Sequence, residues 1–196
     1  GVMKKGWFST PGRPGDRTIK DQMKGLDRLL AACPGKTVLD VGCAEGLLSI
    51  ELAKRGARVH GVEVVPQHVE VGRRLASAAL PHNEDGLNPE DKRGRVWLEV
   101  ADANDWIPER DFDIVIMLAV LHKLKNPSLV ALALATHARE AVVVRLPPKT
   151  APLVIDARSG NKAHNIDTAI KRAGFEFAGQ DLGHFDEWVG IYKRES

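Results

Sequence analysis

The sequence predicts an α/β fold: a doubly wound, mostly parallel sheet with helices on both faces and an antiparallel hairpin at its C-terminal end. Three observations carry this. Strand-like and helix-like segments alternate from Lys36 to about Leu146. The strand-like runs, such as "FDIVIMLAV" and "EAVVVRL", are apolar throughout, as in strands covered on both faces. Near the end, "FEFAGQD" and "HFDEWVGIYKR" stand too close together for a crossover helix and suit a hairpin at the sheet edge.

The elements follow in order. Residues 1–15 read as a flexible arm, because "GWFSTPGRPG" is too rich in Gly and Pro for regular structure. Gly1 and Val2, before the first methionine, read as the remnant of a trimmed tag. Over 16–33 a helix is expected: Asp16 caps it, Ile19, Met23, Leu26, Leu29 and Leu30 recur at helical spacing, and Pro34-Gly35 ends it. The core then runs over 36–196, the whole chain reading as a single domain. Strand "KTVLDVG" leads to a helix over Glu45 to Arg55, which Gly56 stops before strand "ARVHGVEV". A helix from Pro66 to Pro81, a polar loop to Gly94, strands "RVWLEVAD" and "FDIVIMLAV", a helix over Pro127 to Ala138 and strand "EAVVVRL" complete the alternation. A helix over Asn165 to Ala173 precedes the hairpin.

Composition excludes little else. The chain has 196 residues, 43% of them hydrophobic and 28% charged, an ordinary globular balance. No apolar run approaches the ~18–20 residues that cross a bilayer, and no secretory h-region is present, so a cytoplasmic protein without a membrane partner is expected. A net charge of +2, from 28 basic and 26 acidic residues, is too balanced to indicate nucleic acid by itself. Lys4, Lys5, Arg13, Arg17, Lys20 and Lys24 do crowd the N-terminal segment, a run that suits a solvated face. Cys33 and Cys43 flank a strand and read as separate thiols.

The chemistry concentrates in "VLDVGCAEGLLSIELAKRGARVHGVEV". Gly42 and Gly46 lie between a strand and a helix, where ligands of doubly wound sheets sit against bare backbone. The glycines alone fit a tight turn as well as a binding loop. Two acids sharpen the choice. Asp40 and Glu63 end the first and second strands, so both carboxylates are expected to face one crevice, and Glu63 stands where an acid accepts ribose hydroxyls. The spacing suits a dinucleotide enzyme, but Gly42-Cys43-Ala44-Glu45-Gly46 lacks G-x-G, and Asp40 repels a pyrophosphate. A cationic nucleoside fits better.

With "LDVGCAEG", the acid at Glu63, "VADAND" and "FDIVIMLAVLHKLKNP" in that order, the chain resembles class I S-adenosylmethionine-dependent methyltransferases, whose core is Rossmann-like and whose sheet has seven strands, the last one reversed. The resemblance covers Thr37 to about Leu146. It implies that S-adenosyl-L-methionine is the cofactor, that Asp40 and the Gly42, Cys43, Ala44, Glu45, Gly46 turn hold its methionine part, and that Glu63, with Val64 following, binds its ribose. It further implies that Asp102 contacts the adenine amino group, that Ala103 lies against the ring, and that Leu118 and Ala119 face the cofactor. Ala44 departs from the family's central glycine, which puts the backbone angles of that residue in question.

Methyl transfer needs the acceptor held in line and, for oxygen or protonated nitrogen, a proton removed. His122 is the candidate base, with packing beside the cofactor as the competing role. Arg17, Lys123, Arg145, Arg158 and His164 are candidate acceptor contacts, three of them (Arg145, Arg158 and His164) handles of the long segment "RLPPKTAPLVIDARSGNKAHN", although scattered surface charge is the better account of most such residues. The remaining histidines are dispersed without close carboxylate or cysteine partners, so no metal is expected. The expected activity is methylation of an O or N atom of a small-molecule acceptor. The alternatives are an RNA-modifying enzyme of tRNA type, a non-catalytic S-adenosylmethionine-binding partner protein and, disfavoured by the turn, a nicotinamide enzyme. Neither the acceptor's identity nor the oligomeric state follows from the sequence.

Overall fold

The computed structural model describes residues 6–10, 13–84, 92–147 and 163–194. Its strands are β1 (Gly6–Phe8), β2 (Gly15–Arg17), β3 (Thr37–Val41), β4 (Arg58–Glu63), β5 (Arg95–Val100), β6 (Phe112–Leu118), β7 (Ala138–Leu146), β8 (Phe175–Leu182) and β9 (Trp188–Arg194). The helices are α1 (Ile19–Met23), α2 (Asp27–Ala32), α3 (Leu47–Lys54), α4 (Pro66–Ala79), α5 (Pro127–Ala135) and α6 (Ala163–Arg172).

Seven strands form one sheet in the order β5-β4-β3-β6-β7-β9-β8. From β5 to β7 every pairing is parallel; β9 is antiparallel to both β7 and β8. The expected doubly wound sheet is therefore present, with one refinement. The hairpin does not simply extend the edge: β9, the last strand, lies inside the sheet and β8 forms the edge.

The unbroken apolar runs follow from burial on both faces. Along β6, Val115 and Met117 join a core with Leu39, Val41 and Tyr192 and with α5 and α6, while Ile114, Ile116 and Leu118 join the opposite core with Val38 and with α2, α3 and α4. A period-2 backbone sends alternate side chains to opposite faces, so both sets must be apolar. The chain leaves β3 outward through β4 and β5 and returns to place β6 beside β3. That reversal opens a crevice beyond the carboxyl ends of β3 and β6, the position where such sheets bind ligands.

Two expectations need correction at the N-terminal side. The stretch expected to be an arm without regular structure contains β1, which pairs in parallel with β2. Ser9 supplies the missing order, its hydroxyl donating to the Gly15 carbonyl and accepting from the Gly15 N–H. The single helix expected over 16–33 is two, α1 and α2. Its cap is Thr18 rather than Asp16, in a reciprocal capping box with Asp21. The break falls at Gly25, φ 78°, where an added Cβ would meet the Leu182 carbonyl oxygen at 2.7 Å. Among the described residues, no helix is long and apolar enough to cross a membrane.

Candidate active site

The crevice is a cavity of about 740 Å³. Its floor is the turn after β3, which is built from left-handed residues: Gly42 (φ 74°), Ala44 (φ 49°) and Gly46 (φ 68°). At Gly42 a Cβ would meet Val120 Cγ2 at 2.6 Å, so the turn after β3 and the segment after β6 approach at a distance that only glycine permits. Ala44 does adopt the angle that a glycine would adopt freely, and its N–H donates to Glu63 Oε2 at 3.0 Å. Val65 N–H donates to the other oxygen, Glu63 Oε1, at 3.0 Å. Two backbone donors thus hold the Glu63 carboxylate in one orientation at the end of β4, in the cavity wall.

Around that floor the structure brings together Gly42, Ala44, Glu63, Val64, Asp102, Ala103, Leu118, Ala119, His122, Lys123 and Arg17. Asp102 follows β5, and its carboxylate accepts from Asn104 N at 2.9 Å and from Asn104 Nδ2 at 2.8 Å. These bonds pull the Asp102 pKa below the usual carboxylate value. Ala119 is also left-handed, φ 57°, and its N–H donates to the Arg145 carbonyl at 2.9 Å, the last bond between the ends of β6 and β7 before the chain turns. His122 and Lys123 stand in the 3₁₀ turn that follows, Leu121–Lys123.

Five expected residues lie outside the lining. Asp40 is 3% exposed, because alternation along β3 turns it toward α3, where Ser49 Oγ donates to its Oδ2 at 2.7 Å. Burial raises its pKa to about 6 against the opposing effects of Ser49 and Arg145. Both carboxylates were expected to face the crevice; only Glu63 does. Cys43, Glu45 and Gly46 are likewise absent from the cavity lining. Burial, and then the charges of Asp40, Glu63 and Glu45, push the Cys43 thiol up, so it stays protonated. Glu45 is buried near Arg13 Nη1 (3.7 Å) and His68 Nε2 (3.8 Å). Arg145 does not project from a loop as an acceptor handle. It is 4% exposed within β7, because both faces of that strand are covered, and its Nη1 donates to the Gln22 carbonyl at 2.8 Å. Arg158 and the His164 side chain fall outside the described residues.

The cavity also contains residues that the sequence did not single out. His68, Asn104, Pro147, Phe185 and Glu187 line it, beside Phe8 and Arg17 of the N-terminal segment, where the sequence did place an approach to the site. Glu187, 4% exposed, accepts from Arg17 Nη1 at 2.9 Å, joining β2 to the turn between β8 and β9. A pairing across 170 positions leaves no local sequence signal. His68 had one: it stands in the first turn of the helix that follows Glu63.

A family model described as a methyltransferase domain matches residues 17–152. The chain belongs to this methyltransferase family. The match bears out the resemblance drawn from the four motifs. Similar to this methyltransferase chain is the magnesium-protoporphyrin O-methyltransferase of Rhodobacter capsulatus, 31% identical over 143 residues, or 72% of the chain and 58% of that relative. The ubiquinone biosynthesis O-methyltransferase of Hahella chejuensis is 36% identical over 110 residues, 56% of the chain and 41% of the relative. The chain thus spans about half the length of these relatives. Among solved structures, magnesium protoporphyrin IX methyltransferase from Synechocystis PCC 6803 with bound SAM shares the fold, with a TM-score of 0.70 at 22% identity, covering 90% of this chain and 80% of that one.

Proposed function

We propose that the protein binds S-adenosylmethionine in this cavity and transfers its methyl group to an oxygen or nitrogen of a small-molecule acceptor. The observation that carries the reading is Glu63, a carboxylate fixed by the N–H groups of Ala44 and Val65 on the cavity wall beside a left-handed turn. Its remaining lone pairs suit paired ribose hydroxyls, and the bare backbone at Gly42 admits the rest of the cofactor. His68 Nδ1, in the same wall, is buried and has no hydrogen-bond partner among the described residues, as expected of a group that meets a ligand. The cofactor supplies an electrophilic methyl on a sulfonium. The protein's part is to hold the acceptor in line with it and, through His122, to take the acceptor's proton. Asp40 acts from behind the turn as a buried negative charge that favours a cationic ligand.

A small molecule is favoured over RNA because Arg13 and Arg17, two of the basic residues that crowd the N-terminal segment, are engaged by Glu45 and Glu187. The proposal includes a cytoplasmic location, which the unpaired thiols of Cys33 and Cys43 support. Calorimetric titration with S-adenosylmethionine tests the reading. Glu63→Ala is expected to weaken binding by roughly 10- to 100-fold, on the order of the loss of charge-assisted hydrogen bonds. An unchanged affinity overturns the ribose assignment.

A further inference from the structure

The turn between β8 and β9 holds an aromatic residue in an unusual place. Phe185 (φ 53°, ψ 38°) and Asp186 (φ 58°) are consecutive left-handed residues, a conformation rare for a bulky side chain. The strain is not repaid by packing, since Phe185 is 67% exposed, with its ring against His184 at 3.9 Å between centroids. It persists because both sides of the turn are fastened. Gly183 N–H donates to the Glu187 carbonyl at 2.7 Å, Glu187 pairs with Arg17, and His184 Nδ1 lies 3.5 Å from Asp21 Oδ1. Strain held in this way at a cavity marks a side chain displayed for a purpose.

Position says what that purpose is. Glu63 ends β4 and Asp102 follows β5, on one side of the β3–β6 gap; Pro147, Phe185 and Glu187 lie beyond β7 and before β9, on the other. The cofactor reading assigns the first side to the nucleoside, which leaves the second for the acceptor. Of the chain's five phenylalanines, two, Phe8 and Phe185, line this cavity. Phe185 is largely exposed at this cavity, Phe8 lines it as well, and neither can fix a substrate by charge.

We infer that Phe185, with Phe8, forms an aromatic clamp that selects a planar aromatic methyl acceptor. Ring stacking favours a flat π-system over an aliphatic ring of the same outline. The inference rests on the cofactor reading, so the test separates the two. Protein saturated with S-adenosylhomocysteine is titrated with 2-naphthol and with decahydro-2-naphthol, the same skeleton without aromaticity. The wild type is expected to bind 2-naphthol several-fold more tightly. Phe185→Ala and Phe185→Leu are each expected to weaken 2-naphthol by about 3- to 10-fold while moving decahydro-2-naphthol by less, and Phe185→Tyr is expected to keep the preference. Phe8→Ala should reduce it too. A melting curve and the S-adenosylhomocysteine affinity of each variant report that the fold and the other half of the cavity are intact. Failure of the wild type to bind S-adenosylhomocysteine overturns the cofactor reading. Binding of S-adenosylhomocysteine with no aromatic preference, or with a preference that survives Phe185→Ala and Phe185→Leu, overturns the clamp.

Discussion

Asp40 shows how a single residue can matter without touching the cavity. Its pKa is raised from 3.8 to about 6, so the ionised form is the disfavoured one. Below the unfolded value both states are protonated and the residue contributes nothing. As pH rises, the unfolded chain ionises first, and the folded state is penalised by an amount that reaches at most roughly 3 kcal/mol above pH 6. Urea melts of wild type and Asp40→Asn are therefore expected to diverge with pH, the variant gaining relative stability as pH rises from about 4 to about 6 and the difference levelling off above that. Cofactor affinity is expected to move in the opposite sense. A cation in the cavity favours ionised Asp40, so wild-type binding of S-adenosylmethionine should tighten as pH rises through 6, and Asp40→Asn should flatten that rise in a calorimetric series. Ala44 offers a second test. Its left-handed backbone costs roughly 1–2 kcal/mol, and a glycine there gives back about half of that in unfolded-state entropy. Ala44→Gly is expected to raise the urea midpoint by a net amount of roughly 0.5–1 kcal/mol.

Among elements, α4 is positioned by a missing side chain. A Cβ on Gly72 would lie 2.8 Å from the Glu45 carbonyl oxygen and 2.5 Å from Leu98 Cδ1. Alanine is the better helix former by about 1 kcal/mol, whereas pushing a helix off a close backbone contact costs about 1–3 kcal/mol. The contact is expected to win: Gly72→Ala should lower stability and weaken cofactor binding, because α4 holds His68 in the cavity wall. Scanning calorimetry with and without S-adenosylhomocysteine checks both effects. The legibility of the sequence divides along similar lines. Strands β6 and β7 were readable because two-sided burial leaves continuous apolar runs, β3 to β5 because they alternate with helical segments and turn residues, and Glu63 because a strand end and a glycine turn place it. Phe185 and Glu187 were not. The stretch "HFDEW" reads as the start of a strand, and only the left-handed pair at Phe185 and Asp186 turns it toward the crevice. The break between α1 and α2 was equally hidden, since helical spacing of apolar residues continues across Gly25.

On the scale of the molecule, Arg17 and Glu187 tie the first strands to the last turn. Removing one member of a buried pair leaves the other charge uncompensated, a loss of roughly 3–5 kcal/mol in general, and Arg145 nearby reduces it here. Arg17→Gln is expected to cost about 1–3 kcal/mol, and addition of Glu187→Gln should recover only part of that, because Arg145 then loses its compensating charge, as a double-mutant cycle by chemical denaturation reads. The interior position of β9 extends the same point into time. A ribosome delivers β8 before β9, yet β9 must lie between β8 and β7. Until residues 188–194 arrive, β8 has no strand to pair with, Glu187 has no anchored backbone, and the wall carrying Phe185 does not exist. The left half of a working cavity can be assembled early, around Glu63, but a growing chain has nothing on which to close the right half. Cofactor and acceptor meet a finished protein or they meet half a site.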